Sequence, residues 1–466
     1  MRRVGMLTAQ AIIAVVGDRS KQTRGVESRD SGRVELRSPE FDIAWRGPDN
    51  ARETIPARDV SAEEQNMDRR TFLAATAAAG AAAGTVQAAD APRKLRVAII
   101  GCGRMGQYFA EVYRRLPQTE LVAIAEWNDD RRAVVGERFG VKALFKDVNA
   151  MVKSVVPDMA AIITPTRFMK EAVIRCAEAG VKGISTDKPM ASRLSDADAM
   201  VDACKKSGAI FAGGNLQRAK WEVQHAARRI RAGEFGRILG AAVHGYGGEI
   251  SGGGCQHMSV LRLFTGAEVE EVMAWGSPPE ALLKKDDGGL NINGKMRLST
   301  GIDCQVFGVA QKYGDQRNRS GVDVWCEDGL VSWQWAAPKI YSGLDARGRR
   351  EEIDPEYPAF PWADVLAEPP LRKSDDYLLS SIQAFIKAVQ VDSEAELFVS
   401  GHDLRQALEI AIACKQSAVL GNLPVQLPLA DRSLFLDPSP YRLLGGDQTG
   451  NVQSSAEAAG KKKPTD

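Results

Sequence analysis

The hexapeptide GCGRMG at residues 101–106 constrains this chain more than any other stretch. It follows LRVAII, a short apolar run of strand type, and leads into QYFAEVYRRL, whose apolar residues recur at helical spacing. A strand that turns into a helix through Gly-x-Gly-x-x-Gly begins a dinucleotide-binding βαβ unit. Gly101 permits the tight turn, Gly103 lets the backbone approach a pyrophosphate, and Gly106 lets helix and strand pack closely. The helix N-terminus stabilises the anion, and Arg104 and Met105 complete the cofactor loop. Glu126 lies 20 residues beyond Gly106, at the end of a second apolar run, LVAIA. A carboxylate there accepts hydrogen bonds from the adenosine ribose and repels a 2′-phosphate. NAD is therefore expected rather than NADP.

The pattern continues as an alternation of short apolar runs (MAAIIT, KGIST, AIFAGG) with helical segments such as RFMKEAVIRCAEAG and LSDADAMVDACKKSG. Such βαβ repetition gives a parallel sheet covered on both faces, a Rossmann domain over residues 93–215. Residues 216–436 read differently. A helix, WEVQHAARRIRAGEFG, leads to RILGAAVHGY, a glycine-rich turn, the helix HMSVLRLFTG and then mostly strand, with a hairpin around Asp328-Gly329. Amphipathic helices over 376–389 and 403–420 close this part. The expectation is an α+β domain with a largely antiparallel sheet. Residues 445–466 are polar and read as a disordered tail.

With 61 basic against 60 acidic residues and 44% apolar content, the composition is that of a globular protein with no pull toward nucleic acid. The seven cysteines contain no CxxC pair and the four histidines no ligand spacing, so no metal is expected. Residues 66–84, NMDRRTFLAATAAAGAAAG, resemble a twin-arginine export signal, with Arg69-Arg70 before an Ala/Gly run and small residues near Ala88 and Ala89. Residues 67–89 are read as that signal. Residues 1–66 are read as translated upstream sequence or a disordered extension, with Met67 the true start. This reading implies passage through the twin-arginine machinery and a periplasmic location.

Asp187-Lys188-Pro189 ends the fifth strand of the Rossmann sheet, and Thr164-Pro165 ends the fourth. Ligands of open α/β sheets sit beyond these strand ends. A lysine there can hydrogen-bond the reacting oxygen of a substrate and stabilise a developing alkoxide.

GCGRMG, AIAEWNDDR, AEAGVKGISTDKP, GGN-x-x-R and GHDLRQALEIAIACKQSA, in that order, resemble the glucose–fructose oxidoreductase / inositol dehydrogenase / MocA family over roughly residues 94–430. The resemblance implies hydride transfer between nicotinamide and a sugar, polyol or related carbonyl compound. It also implies an open second sheet that often serves as a homo-oligomer interface. Lys188 is carried over as the catalytic lysine. Gly101, Gly103, Gly106, Glu126, Thr164, Pro165 and Asp187 are carried over as cofactor contacts, with Asp187 replacing the family's glutamate.

The chain departs from the family where an Asp-x-x-x-His is common. GGGCQHMSVLRLFTG has glycine for the aspartate, Gln256 in the histidine slot and His257 one position on, while Met169 replaces a histidine after Thr-Pro. His257 is the best candidate base by chemistry, since imidazole titrates near neutrality. His244, Tyr246, Asn215 and Arg218 are candidate substrate contacts. Three functions fit: an exported NAD-dependent oxidoreductase of sugars with tightly held cofactor, a redox-assisted glycosidase or lyase, or a silent sugar binder of the same fold.

Overall fold

A computed structural model describes residues 93–308, 320–343, 350–367 and 376–450. The expected signal peptide, the upstream extension and residues 451–466 of the expected tail lie outside the described residues. No helix among the described residues is long and apolar enough to cross a membrane.

The first sheet forms where the alternation placed it. Its elements are β1 (Leu95–Ile100), α1 (Arg104–Arg115), β2 (Thr119–Ala125), α2 (Asp129–Phe139), β3 (Leu144–Phe145), α3 (Val148–Ser154), β4 (Met159–Ile162), α4 (Thr166–Glu178), β5 (Gly183–Thr186), α5 (Leu194–Ser207) and β6 (Ile210–Ala212). The strands pair in parallel in the order β3-β2-β1-β4-β5-β6. Their central residues are buried on both faces, which explains the unbroken apolar runs. Local chemistry sets the helix starts. The Asn128 side chain accepts from the Arg131 N–H at 2.9 Å and Asp147 from the Ala150 N–H at 2.8 Å, each capping the helix that follows.

The second sheet has nine strands around β7 (Ile238–His244), which follows α6 (Trp221–Arg231). Helix α7 (Gly254–Thr265) precedes β8 (Val269–Ser277), β9 (Asn291–Leu298), β10 (Asp303–Phe307), β11 (Gly321–Cys326), β12 (Gly329–Trp333), β13 (Lys339–Ser342) and β14 (Glu351–Ile353). Helices α8 (Asp376–Val391) and α9 (Gly401–Val419), strand β15 (Val425–Gln426), α10 (Pro440–Leu444) and α11 (Gly446–Thr449) follow. The order is β14-β13-β12-β11-β7-β10-β9-β8-β15, antiparallel throughout except for β7 with β10. Alternation along β9 puts Ile292, Met296 and Leu298 in the core and leaves Lys295 and Arg297 outside.

Two differences from the sequence expectation bear on function. The boundary at residue 215 does not separate the cores. Leu378, Leu379, Ile382, Phe385 and Ile386 of α8 pack with Val97, Ile99, Phe109 and Val112 as one apolar cluster, so a late helix covers one face of the first sheet. A Cβ on Gly183 would come 2.9 Å from Phe385, so the missing side chain makes room for that helix. The segment Gly445–Gly450, expected within a disordered tail, is folded. It carries α11 and lies against the first domain, where Pro165 and Arg131 receive it.

Candidate active site

A cavity of about 610 Å³ opens over the carboxyl ends of β1, β2, β4 and β5, astride the point where strand order reverses between β1 and β4. Its floor is the glycine turn. Gly101 has φ +86°, and a Cβ there would approach the Ile163 carbonyl oxygen to 2.7 Å, so both conformation and space demand glycine. A Cβ on Gly106 would lie 2.0 Å from the Gly101 carbonyl oxygen. By contrast, a Cβ on Gly103 meets nothing within 4 Å and would project into open space beside the cavity. Gly103 is the N-cap of α1, no side chain caps that end and no acid stands in its first turn. The leading N–H groups are left for an anion. Arg104 and Met105 line the same cavity.

At one end of the cavity Glu126 is buried, and its carboxylate is firmly held. Oε2 accepts from the Cys102 N–H at 2.8 Å, and Oε1 accepts from the Asn128 N–H at 3.0 Å and from Arg131 Nη1 at 3.2 Å. Oε2 keeps acceptor capacity for a ribose hydroxyl. Arg131 Nη2 donates to both oxygens of Asp447, at 2.6 and 2.7 Å. At the other end stand Asp187, Lys188 and Arg442. Lys188 is half-buried, and its ammonium makes no hydrogen bond or ion pair among the described residues. Burial pushes the Asp187 carboxyl up, against the pull of Lys188, Arg442 and the Lys188 and Asn215 backbone N–H groups. Arg442 Nε donates to Glu249 Oε1 at 2.6 Å.

Thr164 and Pro165 line the middle. Thr164 Oγ1 and Asp187 Oδ1, both on the cavity wall, are buried polar atoms with no partner among the described residues. Buried polar groups ordinarily have partners, so these orphans mark places for a ligand. With the open cradle at Gly103 and the spare acceptor on Glu126, the site fits a nicotinamide dinucleotide laid from Glu126 to Lys188.

The structure does not bring every sequence candidate here. Among the described residues no histidine lines the cavity. His257 is 3% exposed; its Nε2 meets Ser320 Oγ at 3.0 Å, and Trp333, Trp335 and Tyr246 surround its ring. Burial, with His244 nearby, lowers its pKa to about 4. Helix rotation explains this. Cys255 is the residue of α7 whose thiol feels Lys188, Arg442 and Asp187. Two residues further on is a turn of about 200°, which points His257 at the second sheet instead.

His244 points out of the opposite face of that sheet from its core neighbour Val243. It pairs with Asp323 at 3.0 Å and stacks on Phe307. Tyr246 is fully buried against Gly254, and its Oη has no partner among the described residues. Arg218 is committed elsewhere: Asp403 Oδ1 accepts from it at 2.6 Å and from Arg262 at 2.6 Å, which neutralises the Arg218 charge inside the fold. Asn215 is off the cavity wall, and its backbone N–H reaches the Asp187 carboxylate.

Sequence reasoning missed Arg131 and the strap Tyr441, Arg442, Leu444–Gln448. The local signals were Ser439-Pro440 before a short apolar pair and the Gly445-Gly446 break. A five-residue helix offers no period to read.

Residues 95–214 match the model of an oxidoreductase family with an NAD-binding Rossmann fold, GFO_IDH_MocA. Over part of its length the chain is similar to D-apiose dehydrogenase of Paraburkholderia graminis, at 31% identity across 31% of this chain and 38% of that protein. Myo-inositol 2-dehydrogenase of Thermotoga maritima is 28% identical across 39% and 58%. D-glucoside 3-dehydrogenase of Escherichia coli is 30% identical across 31% and 41%. The chain thus spans between 38% and 58% of the length of these relatives. Among solved structures, levoglucosan dehydrogenase in complex with NADH superposes with a TM-score of 0.60 at 21% identity, covering 72% of this chain and 100% of that one. Aldose-aldose oxidoreductase from Caulobacter crescentus gives 0.55 at 20% identity, covering 72% of this chain and 100% of that chain. At such identities the likeness is one of fold.

Proposed function

We propose that this chain, whose residues 95–214 carry the NAD-binding Rossmann fold of the Gfo/Idh/MocA oxidoreductases, is a dehydrogenase of a sugar, polyol or cyclitol. The observation that carries this reading is the unpaired Lys188 ammonium at the end of the same cavity that holds the glycine cradle. Gly101, Gly103 and Gly106 shape the pyrophosphate seat, Glu126 takes the adenosine ribose, Thr164 and Pro165 line the middle, and Asp187 borders the nicotinamide end. Bound NAD would accept or return a hydride at nicotinamide C4. Lys188 hydrogen-bonds the substrate oxygen and stabilises it as it gains negative character. With no histidine on the cavity wall among the described residues, the proton passes through Lys188 or solvent rather than through His257. The dehydrogenases of apiose, inositol and glucosides among the relatives support a polyhydroxylated substrate.

The test is a Lys188→Met variant assayed against a panel of sugars and cyclitols. Nucleotide binding should be kept while turnover falls on the order of 10²–10³-fold, the usual cost of one oxyanion donor. Turnover that survived would remove Lys188 from the chemistry.

We also propose export through the Arg69-Arg70 signal, with the cofactor loaded before transit and held tightly afterwards. Recovery of mature protein beginning near Ala89 from the periplasm is the expected result. Recovery solely from the cytoplasm, uncleaved, would overturn it.

A further inference from the structure

The strap formed by α10 and α11 crosses the cofactor cavity from end to end. Arg442 is tied to Glu249 beside Lys188, Gly445 sits against Pro165 in the middle, and Asp447 closes on Arg131 beside Glu126. The last of these pairings has a chemical consequence. A guanidinium next to the carboxylate that takes an adenosine ribose is the group best suited to grip a 2′-phosphate, because its planar fork matches phosphate oxygens bidentately. Here both terminal nitrogens of that fork are already engaged, while Nε has no partner among the described residues. Arg131 is 7% exposed in its side chain; Nη1 meets Glu126, and Nη2 is held by both oxygens of Asp447. Two carboxylates therefore stand where a third anion would have to enter, and one of them arrives from a segment 316 residues away in sequence.

We infer that Asp447 is a cofactor-specificity residue: by occupying Arg131 it closes the adenosine end of the site to a 2′-phosphate and sets the choice of NAD over NADP. The inference rests on the reading of the cavity as a dinucleotide site. Glu126 alone does not achieve this, because it engages Nη1 of Arg131 and leaves Nη2 to whichever anion is nearest. Without Asp447 the nearest would be the 2′-phosphate itself.

The experiment uses the full chain and its Asp447→Asn variant, which keeps the side chain's shape and removes its charge. Each protein is incubated with equimolar NAD and NADP and gel-filtered. The nucleotide released on denaturation is then identified by mass spectrometry. The parent should carry NAD. In Asp447→Asn the bound NADP-to-NAD ratio should rise by about tenfold or more, the scale expected when a charge-assisted hydrogen bond to the phosphate replaces a repulsion. In Asp447→Asn combined with Arg131→Gln the rise should vanish, since the fork that grips the phosphate is absent. A ratio that does not move in Asp447→Asn, or that moves as far in the double variant, overturns the inference. A parent that retains neither nucleotide overturns the dinucleotide reading itself, and this inference with it.

Discussion

His257 shows how burial turns a chemically attractive side chain into a packing one. The sequence revealed an imidazole near the site but not the direction it faces, because a single position along a helix swings a side chain by about 100°. Its pKa of about 4 against an ordinary 6.5 has a consequence for pH. Below 6.5 the unfolded chain takes up a proton that the folded one refuses. This share of stability is therefore full above about 6.5 and lost as pH falls toward 4. Asp287 acts with the opposite sign. Burial raises its carboxyl to about 6 from 3.8, against the Ser251 backbone N–H that donates to Oδ2 at 2.6 Å. Its share is present below about 3.8 and lost as pH rises through about 6. Urea denaturation at stepped pH should show His257→Gln flattening the acid limb. Asp287→Asn should gain on the order of 2–3 kcal/mol at about pH 7. A variant curve parallel to the parent's in either case would refute the assignment.

At the scale of elements, the strands, the glycine turn and most helices were legible, because periodicity and caps are local properties. Helix α8 was legible as a helix but not in its destination, since nothing in an amphipathic pattern names the sheet it will cover. The same holds for Arg218. Its place at the domain junction suggested substrate, whereas the fold pairs it with Asp403 together with Arg262, tying the turn after β6 to α7 and α9. Burial opposes ionisation of Asp403, yet Arg218 and Arg262 prevail and hold it at about 2. Ser400 adds a capping box at the same helix start. Removing this carboxylate strands the buried Arg218 guanidinium, while Arg262 keeps Glu268 as its partner. Asp403→Ala should cost about 3–5 kcal/mol in chemical denaturation, while Asp129→Ala, whose partner Arg132 is paired at the surface, should cost less than about 1 kcal/mol. Equal losses would show that the junction cluster is no more than a surface network.

The whole molecule brings together residues that lie far apart in the sequence. The glycine turn, Glu126 and Lys188 on the cavity wall could be placed from the sequence because they are strand-end features. The strap could not, because its partners stand hundreds of positions away. A chain ending after Pro438 keeps both sheets and both apolar clusters, whose last member is Leu436. It should fold with the parent's circular dichroism, yet carry no nucleotide through gel filtration; full retention would show that the strap has no part in holding it.

The Arg131–Asp447 pairing also imposes an order in time. Domains fold as they emerge from the ribosome, the N-terminal part first, so the glycine cradle forms while residue 447 has yet to be made. The cavity then stays open on one side until synthesis has passed the strap. On the dinucleotide reading, a nucleotide would enter the half-built site freely and be enclosed only once the strap has arrived. If the cavity does hold a nucleotide, one trapped beneath the strap would mark a chain synthesised at least through residue 447. Any sorting step that accepts only folded, loaded chains would reject prematurely terminated ones without inspecting their ends.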